Sequence, residues 1–197
     1  RVTLEYQGTI HHPREAYGRE QARGFRDTPG LISAEGVYLS GRSGWVPGFS
    51  HADKMKFRLR AALPGGWRAI SQGEHVEKID GGGDSWRAVT PQEEVYLIAA
   101  PFTEYRGRAG EIDTLVFLRE PDAGLAQRYL DATAHYLALY GKLLGDYPYA
   151  KFALVENFWE TGFGMPSFTL LGPKVIRLPF ILHSSYPHEI LHNWGGN

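Results

Sequence analysis

The hydrophobic pattern of the sequence changes once, near residues 120–121. Before that point apolar residues recur with a period of two, most regularly at residues 54–61, where basic and apolar residues alternate. This period is typical of a strand with one buried face and one solvated face. Residues 94–100 form a short apolar run, which is typical of a central strand. We therefore expect β structure throughout residues 1–118.

After the change, apolar residues follow helical spacing and form one stripe. The stripe consists of Leu125, Tyr129, Ala132, Tyr136, Tyr140 and Leu143. With Pro121 before it and Gly145 and Pro148 after it, the stripe predicts a helix over about 122–144. Short strands are expected at 150–156, 167–171 and 174–178. A final helix is expected to begin near Ser184 or Ser185, either of which is a good capping residue.

The predicted fold class is α+β, with a mainly antiparallel β region followed by an α+β region. The alternating N-terminal half includes Val2, Leu4 and Tyr6, which we expect to form a strand. The chain starts within this predicted strand and stops just after a helix that carries chemistry, so we expect it to be a piece of a longer protein. Lack of an initiator Met and of Cys is compatible with export. An extracytoplasmic or membrane-associated location is preferred to a cytoplasmic one.

Composition excludes several classes of function. The 21 Lys and Arg residues balance 22 Asp and Glu residues, which argues against a nucleic-acid partner. The hydrophobic fraction of 43% is enough for a packed core. No apolar run is long enough for a transmembrane helix. The absence of Cys excludes disulfides, thiol catalysis and cysteine-ligated metals.

The final predicted helix contains a pair of histidines, His188 and His192, in the pattern His-Glu-x-x-His. Residues four apart lie about 40° apart around a helix, so both imidazoles can reach one ion. Zinc favours neutral imidazole nitrogen, and a catalytic zinc has three protein ligands and one open position for water. Glu189 lies beside that face and could act as the general base that takes a proton from the water. A core helix whose histidines are merely hydrogen-bonded is the alternative.

The residues that follow strengthen this hypothesis. The pattern His188-Glu189-x-x-His192-x-Trp194-x-Gly196-Asn197 resembles the zinc-helix signature of the aminopeptidase-N-like metallopeptidases, in the gluzincin clan that also includes leukotriene A4 hydrolase. In that family a saddle-like β domain precedes a thermolysin-like catalytic domain. The resemblance implies a saddle-like β domain at 1–118 and an incomplete catalytic domain at 119–197.

A second segment also resembles this family. Gly162, Phe163, Gly164 and Met165 are similar to the glycine–methionine segment that lines the substrate cleft. The resemblance therefore implies that these four residues bind substrate. The family has a glutamate after the methionine that pairs with the substrate amino group, whereas Pro166 stands here. We expect only a weak preference for free amino termini, unless Glu156 or Glu160 reaches the cleft.

The resemblance also implies two residues that the chain does not contain. The family's third zinc ligand is a Glu on a following helix, and a later Tyr stabilises the transition state; both are expected beyond Asn197. His183 is a candidate spare ligand. The other histidines, at positions 11, 12, 51, 75 and 135, are expected not to bind metal.

The expected parent protein is thus a zinc metallopeptidase that hydrolyses peptide bonds, with the remainder of its catalytic domain as the partner of this chain. The fragment alone is expected to be inactive. Two alternatives stay open: a non-peptidase hydrolase on the same scaffold, for example one that opens epoxides, and a non-catalytic binding or structural module.

Overall fold

The computed structural model describes residues 2–15, 24–48 and 54–195. Within these ranges the chain forms a mixed α+β fold, as the sequence predicts. The strands are β1 (Gly30–Ile32), β2 (Val37–Leu39), β3 (Met55–Ala62), β4 (Arg68–Ile70), β5 (Glu74–Lys78), β6 (Gly83–Gln92), β7 (Leu97–Ala100), β8 (Thr103–Ala109), β9 (Ile112–Leu118), β10 (Lys151–Glu156), β11 (Gly162–Met165) and β12 (Phe168–Leu171). The α-helices are α1 (Ala123–Leu144) and α2 (Ser185–Leu191).

The strands form three sheets. The four-stranded sheet has the order β1-β2-β7-β4, the three-stranded sheet β3-β6-β5, and the five-stranded sheet β11-β12-β10-β9-β8. Pairing between these strands is antiparallel except where β10 lies parallel to β9 and to β12. The mainly antiparallel fold class is confirmed. Because the five-stranded sheet takes strands from both sides of the predicted boundary at 118 and 119, the division into two domains stays a prediction.

The alternation in β3 is confirmed, and the alternation at the N-terminus is misleading. In β3 the basic side chains are exposed and the apolar ones between them are half-buried, because one face packs on the rest of the molecule. Val2, Leu4 and Tyr6 lie in no strand and are exposed. The strand prediction for these three residues is wrong, since alternation alone does not provide a neighbouring strand to pair with.

Helix α1 begins and ends close to the predicted positions. The Asp122 side chain caps it by accepting a hydrogen bond of 2.8 Å from the Leu125 N–H. Leu125 and Tyr129 are buried against β8 and β9, as the stripe predicts. Leu143 is 69% exposed, so the stripe ends before the last turn.

The region after α1 departs from the prediction in two places. Strands β10 and β12 confirm the prediction, but the expected strand at 174–178 is a 3₁₀ helix at Val175–Arg177, and β11 was not expected as a strand. Helix α2 begins at Ser185, as expected. Ser184 makes no capping bond, because its hydroxyl donates to the Phe180 carbonyl at 2.8 Å.

The five-stranded sheet is buried on both faces, which explains the continuous apolar run of β10. Ala153 and Val155 join the core shared with the other sheets, which includes Tyr38 and Trp86. Phe152 and Leu154 face a second core built with α1 and α2. No helix in the described ranges is long and apolar enough to cross a membrane.

A buried ion cluster lies where the three sheets meet. We call it the sheet-junction network; it consists of Arg68, His75, Asp84 and Glu104. Asp84 accepts hydrogen bonds from the Arg68 Nη2 at 2.6 Å, from the His75 ring at 2.8 Å and from the Ala69 N–H at 2.7 Å. Arg68 also pairs with Glu104. Burial alone would raise the pKa of Asp84, but the bonds from His75 and Arg68 outweigh it and lower the pKa below its ordinary value.

Candidate metal centre

The position of α2 is set by the apolar side of the helix. Tyr186 and Ile190 are fully buried. The Tyr186 ring lies edge-on to Tyr129 with 4.8 Å between ring centroids, and its hydroxyl shares a 2.5 Å hydrogen bond with Thr133 Oγ1. These contacts attach α2 to α1 and direct the opposite side of α2 away from the core.

The turn after α2 is also attached to the body of the protein. The Trp194 indole N–H donates to the Gly145 carbonyl at 2.9 Å. The Trp194 ring lies 5.8 Å from the Tyr140 ring and 5.2 Å from the Tyr147 ring. The aromatic position two residues after the second histidine therefore fixes the end of the helix against the end of α1.

The two histidines meet on the outward side of α2. Their Nε2 atoms are 3.0 Å apart, with His188 exposed and His192 half-buried. At this distance the two rings share a hydrogen bond. Two nitrogens that bind one tetrahedral zinc at about 2.0–2.1 Å lie about 3.3 Å from each other, so a small separation of the rings would let both reach one ion. Among the residues that the structure describes, no third His, Asp or Glu completes a group of three. The donor set thus fits two of the three protein ligands of a catalytic zinc.

Glu189 lies between the histidines in sequence and is half-buried. Burial raises the pKa of its carboxyl above the ordinary value, while the positive charges of protonated His192 and His188 lower it by less. The residue lines a cleft of about 650 Å³ together with Glu160, Gly162 and Phe180. A carboxyl with a raised pKa in a cleft is suited to exchange protons with a bound molecule.

Strand β11 lies at the edge of its sheet and pairs only with β12 among the described strands. The Thr161 carbonyl accepts a hydrogen bond from the Gly172 N–H at 2.9 Å. Because the hydrogen-bonding direction alternates along an antiparallel strand, Phe163 also directs its backbone groups towards β12. Gly162 and Gly164 accordingly direct theirs towards the open edge.

The four predicted substrate-binding residues do not lie in one place. Gly162 lines the cleft that contains Glu189. Gly164 lines a separate cavity of about 250 Å³ together with Pro166. Phe163 packs near Tyr38, with 6.2 Å between the rings. The Met165 side chain is buried in the core. By the same alternation as for Phe163, its backbone groups face β12.

Of the two carboxylates considered as replacements for the missing glutamate, only Glu160 borders the cleft. Its Oε1 accepts from the Lys174 N–H at 2.9 Å, and its Oε2 is buried without a hydrogen-bond partner among the described residues. The proposal that Glu156 reaches the cleft is wrong. Glu156 is buried and pairs with Arg177 at 2.6 Å and with the Arg119 N–H at 2.9 Å.

Among the described residues, no other histidine joins the pair in a group of three. His183 ends the 3₁₀ helix Pro179–His183 and is exposed, outside α2. His75 belongs to the sheet-junction network. His51, like Gly196 and Asn197 of the sequence signature, lies outside the described residues.

Asn193 was not predicted from the sequence. It follows His192 directly, is 95% buried, and bonds to Ser167 on the sheet side and to Ile190 in α2. Ser167 and Lys151, its neighbours in space, were not predicted either. No periodicity marks these residues, because the contacts of Ser167 with Asn193 and with Lys151 join segments 26 and 16 positions apart in the chain.

No protein-family model matches the sequence, and no curated protein matches it. The fold is similar to that of the M1 zinc metallopeptidase from Deinococcus radiodurans, with 17% sequence identity and a TM-score of 0.63 over 85% of this chain and 41% of that chain. It is also similar to native yeast LTA4 hydrolase, with 16% identity and a TM-score of 0.59 over 82% of this chain and 27% of that one.

These likenesses show that the chain has the fold of the M1 zinc metallopeptidases and LTA4 hydrolase. The chain spans less than half of the length of either structure.

Proposed function

We propose that the parent protein of this chain is a zinc-dependent metallopeptidase that hydrolyses peptide bonds. The observation that carries the proposal is the pair of Nε2 atoms 3.0 Å apart on α2, with Glu189 between them and facing a cleft. The shared fold with zinc metallopeptidases supports the same reading. The remainder of the catalytic domain is the proposed partner of this chain and the source of the third ligand.

The roles of the residues follow from their chemistry. His188 and His192 would hold the metal through their imidazole nitrogens. Zinc, when bound, supplies Lewis acidity to the water and to the scissile carbonyl. Glu189 accepts a proton from the attacking water and passes it to the leaving amine. Its raised pKa supports the first step, because the carboxylate of a weaker acid is a stronger base towards the water.

The edge of β11 is the proposed site for the substrate backbone. An extended peptide can add to an open sheet edge through main-chain hydrogen bonds. Gly162 and Gly164 offer backbone groups at this edge without side chains that would block the approach. Phe163 and Met165 contribute by anchoring the strand, since their side chains pack inward.

A non-peptidase hydrolase is the second candidate, and the similarity to yeast LTA4 hydrolase favours including it. Both candidates use the same metal ligands and the same base. A panel of peptides and a panel of small epoxides, offered to the full-length parent, separate them. A parent that binds zinc and turns over neither class would support the non-catalytic alternative.

The test of the proposal is Glu189→Gln in the full-length parent. The amide keeps the size of the side chain but cannot accept a proton, so zinc content should stay at the wild-type level while turnover falls about 10²–10⁴-fold. Zinc is measured by mass spectrometry and turnover on a peptide substrate. Glu111→Gln, at a fully exposed position on the β8–β9 turn, is the matched control and should change neither.

Two results would contradict the proposal. Turnover by Glu189→Gln within a few-fold of the wild type would remove the general-base role. A parent with both His188→Ala and His192→Ala that still carries zinc would place the metal elsewhere.

A further inference from the structure

A closed set of hydrogen bonds connects α2 to the β11–β12 turn. Asn193 follows the candidate ligand His192 directly and is buried. Its Oδ1 accepts a hydrogen bond of 2.7 Å from the Ser167 N–H and lies 3.4 Å from the Tyr147 hydroxyl, whose proton has a nearer acceptor in the Lys151 carbonyl at 3.0 Å. Its Nδ2 donates to the carbonyls of Ile190 at 3.1 Å and Glu189 at 3.3 Å.

The orientation of the Asn193 amide is determined by its neighbours. The Ser167 N–H that faces Oδ1 is a donor, and both groups that face Nδ2 are carbonyls. The opposite amide orientation would place two N–H donors together and an oxygen against the two carbonyls. The last carbonyls of a helix have no partner within the helix, and Nδ2 supplies one here. Asn193 therefore bonds to α2 with one end of its amide and to the sheet with the other.

Ser167 is the sheet's side of this connection. It lies between β11 and β12 with φ of +70°, which L-residues rarely adopt. Lys151 Nζ donates to the Ser167 hydroxyl at 2.6 Å and to the Ser167 carbonyl at 3.0 Å. The Gly73 N–H donates to the same hydroxyl at 3.1 Å. This unusual backbone conformation is thus held from several sides, and it directs the Ser167 N–H towards Asn193.

The set closes through Tyr147. The Tyr147 hydroxyl donates to the Lys151 carbonyl at 3.0 Å. The side-chain amine of Lys151 in turn donates to Ser167. We call Asn193, Ser167, Lys151 and Tyr147 the helix clamp. It joins the segment with the candidate ligands to the segment that ends the candidate substrate strand, through three buried residues and the half-buried Tyr147.

We propose that Asn193 is a positioning residue that holds the histidine pair and Glu189 at a fixed distance and orientation relative to the edge of β11. The part of this inference that concerns catalysis rests on the proposed function. Residues that orient metal ligands without touching the metal change metal affinity or activity by about 10–100-fold when they are replaced.

The experiment uses the full-length parent with Asn193→Ala, and Asn157→Ala as the matched control. Asn157 is also a fully buried asparagine at the end of β10, and its side chain donates to the Trp159 carbonyl at 3.4 Å, away from α2. Three quantities are measured on the folded fraction: zinc affinity by chelator competition, kcat and KM on one peptide, and hydrogen–deuterium exchange at the Ser167 amide.

We expect Asn193→Ala to weaken zinc binding about tenfold or more, to lower kcat at least as much with KM within about threefold, and to accelerate exchange at Ser167. Asn157→Ala should lower thermal stability and change none of the three. If Asn193→Ala does not fold, Tyr147→Phe removes the hydroxyl that donates to the Lys151 carbonyl and lies near Oδ1, and it keeps the bond between Ser167 and Asn193. It should shift the same quantities in the same direction by about two- to fivefold.

The failures are distinguishable. If the parent binds zinc at the histidine pair and Asn193→Ala leaves affinity and kcat unchanged, the inference is overturned and the proposed function stands. If the parent binds no zinc there, the proposed function fails. Hydrogen–deuterium exchange then tests the helix clamp by itself. Loss of protection of the Ser167 amide in Asn193→Ala supports the clamp, and protection that persists in this variant overturns it.

Discussion

The sheet-junction network and the helix clamp are both buried, but their charges are balanced in different ways. In the sheet-junction network the Arg68 guanidinium meets the carboxylates of Asp84 and Glu104, and the His75 ring bonds to Asp84. In the helix clamp the one ionisable amine, Lys151, bonds to neutral groups of Ser167 and lies 5.1 Å from the rings of Trp86 and Phe168.

This difference in charge balance indicates that the two networks have different structural roles. Removing one member of a buried ion pair leaves a buried charge without compensation, which is strongly destabilising. A buried hydrogen-bonded amine without a carboxylate partner costs less to remove, provided that its acceptors keep other donors. We infer that the sheet-junction network determines whether the three sheets assemble, and that the helix clamp determines where α2 lies.

The largest expected effect on stability follows from Asp84→Ala. The change leaves Arg68 with Glu104 alone and removes the acceptor of His75, so the free energy of unfolding should fall by about 3–5 kcal/mol. Denaturant unfolding of the full-length parent measures it. Asp113→Ala, which removes an exposed partner of Arg108, is the control and should cost about 0–1 kcal/mol. A loss below about 1 kcal/mol for Asp84→Ala would remove the distinction between the two networks.

A smaller loss is expected for Lys151→Met. The Ser167 carbonyl still accepts from the Ala153 N–H, and the Ser167 hydroxyl still accepts from the Gly73 N–H, so neither group is left unpaired. The methionine side chain suits the aromatic surroundings of Trp86 and Phe168. The expected cost is about 1 kcal/mol in the same unfolding assay. A cost equal to that of Asp84→Ala would show that Lys151 carries an ionic interaction.

The smallest differences should lie in the pH dependence of stability. The pKa values of Asp84 and Glu104 are lowered in the folded protein, because hydrogen bonds and ion pairs outweigh burial. Their contribution is therefore present at neutral pH and is lost as the pH falls below about 4. Asp84→Ala should make this acid loss less steep.

Lys151 titrates in a different range. Burial lowers its pKa well below the ordinary value, so the unfolded chain binds an extra proton up to about pH 10. Stability should rise with pH as this difference is removed, and Lys151→Met should abolish that rise. Both effects are measured as unfolding free energies at a series of pH values. If Asp84→Ala leaves the loss of stability in acid unchanged, Asp84 is not its source. If Lys151→Met leaves the rise of stability with pH unchanged, Lys151 is not the source of that rise.

Local patterns predicted the fold where one face of an element meets water. The basic residues of β3 alternate with apolar ones because only one face packs, and the stripe of α1 identifies the helix for the same reason. The prediction failed at Val2, Leu4 and Tyr6, where the same pattern lacks a partner strand. It also failed at residues 174–178, since a short apolar run does not distinguish a strand from a 3₁₀ turn.

The candidate site was predictable only where its residues are close in sequence. The i and i+4 spacing of His188 and His192 places their nitrogens together on any helix, and Glu189 is carried with them. The positions of Glu156 and Glu160 were not predictable, because Arg177 and the Lys174 N–H bind them through folding of a later segment. The contact of Asn193 with Ser167 is likewise a product of tertiary structure.

The central claim is that the histidine pair on α2 binds zinc. A crystal structure of the full-length parent with zinc, with anomalous data on both sides of the zinc absorption edge, tests it most directly. We expect one strong anomalous peak about 2.0–2.1 Å from the Nε2 atoms of both His188 and His192. A structure with no peak between these two nitrogens, at zinc concentrations that load the protein, would contradict it.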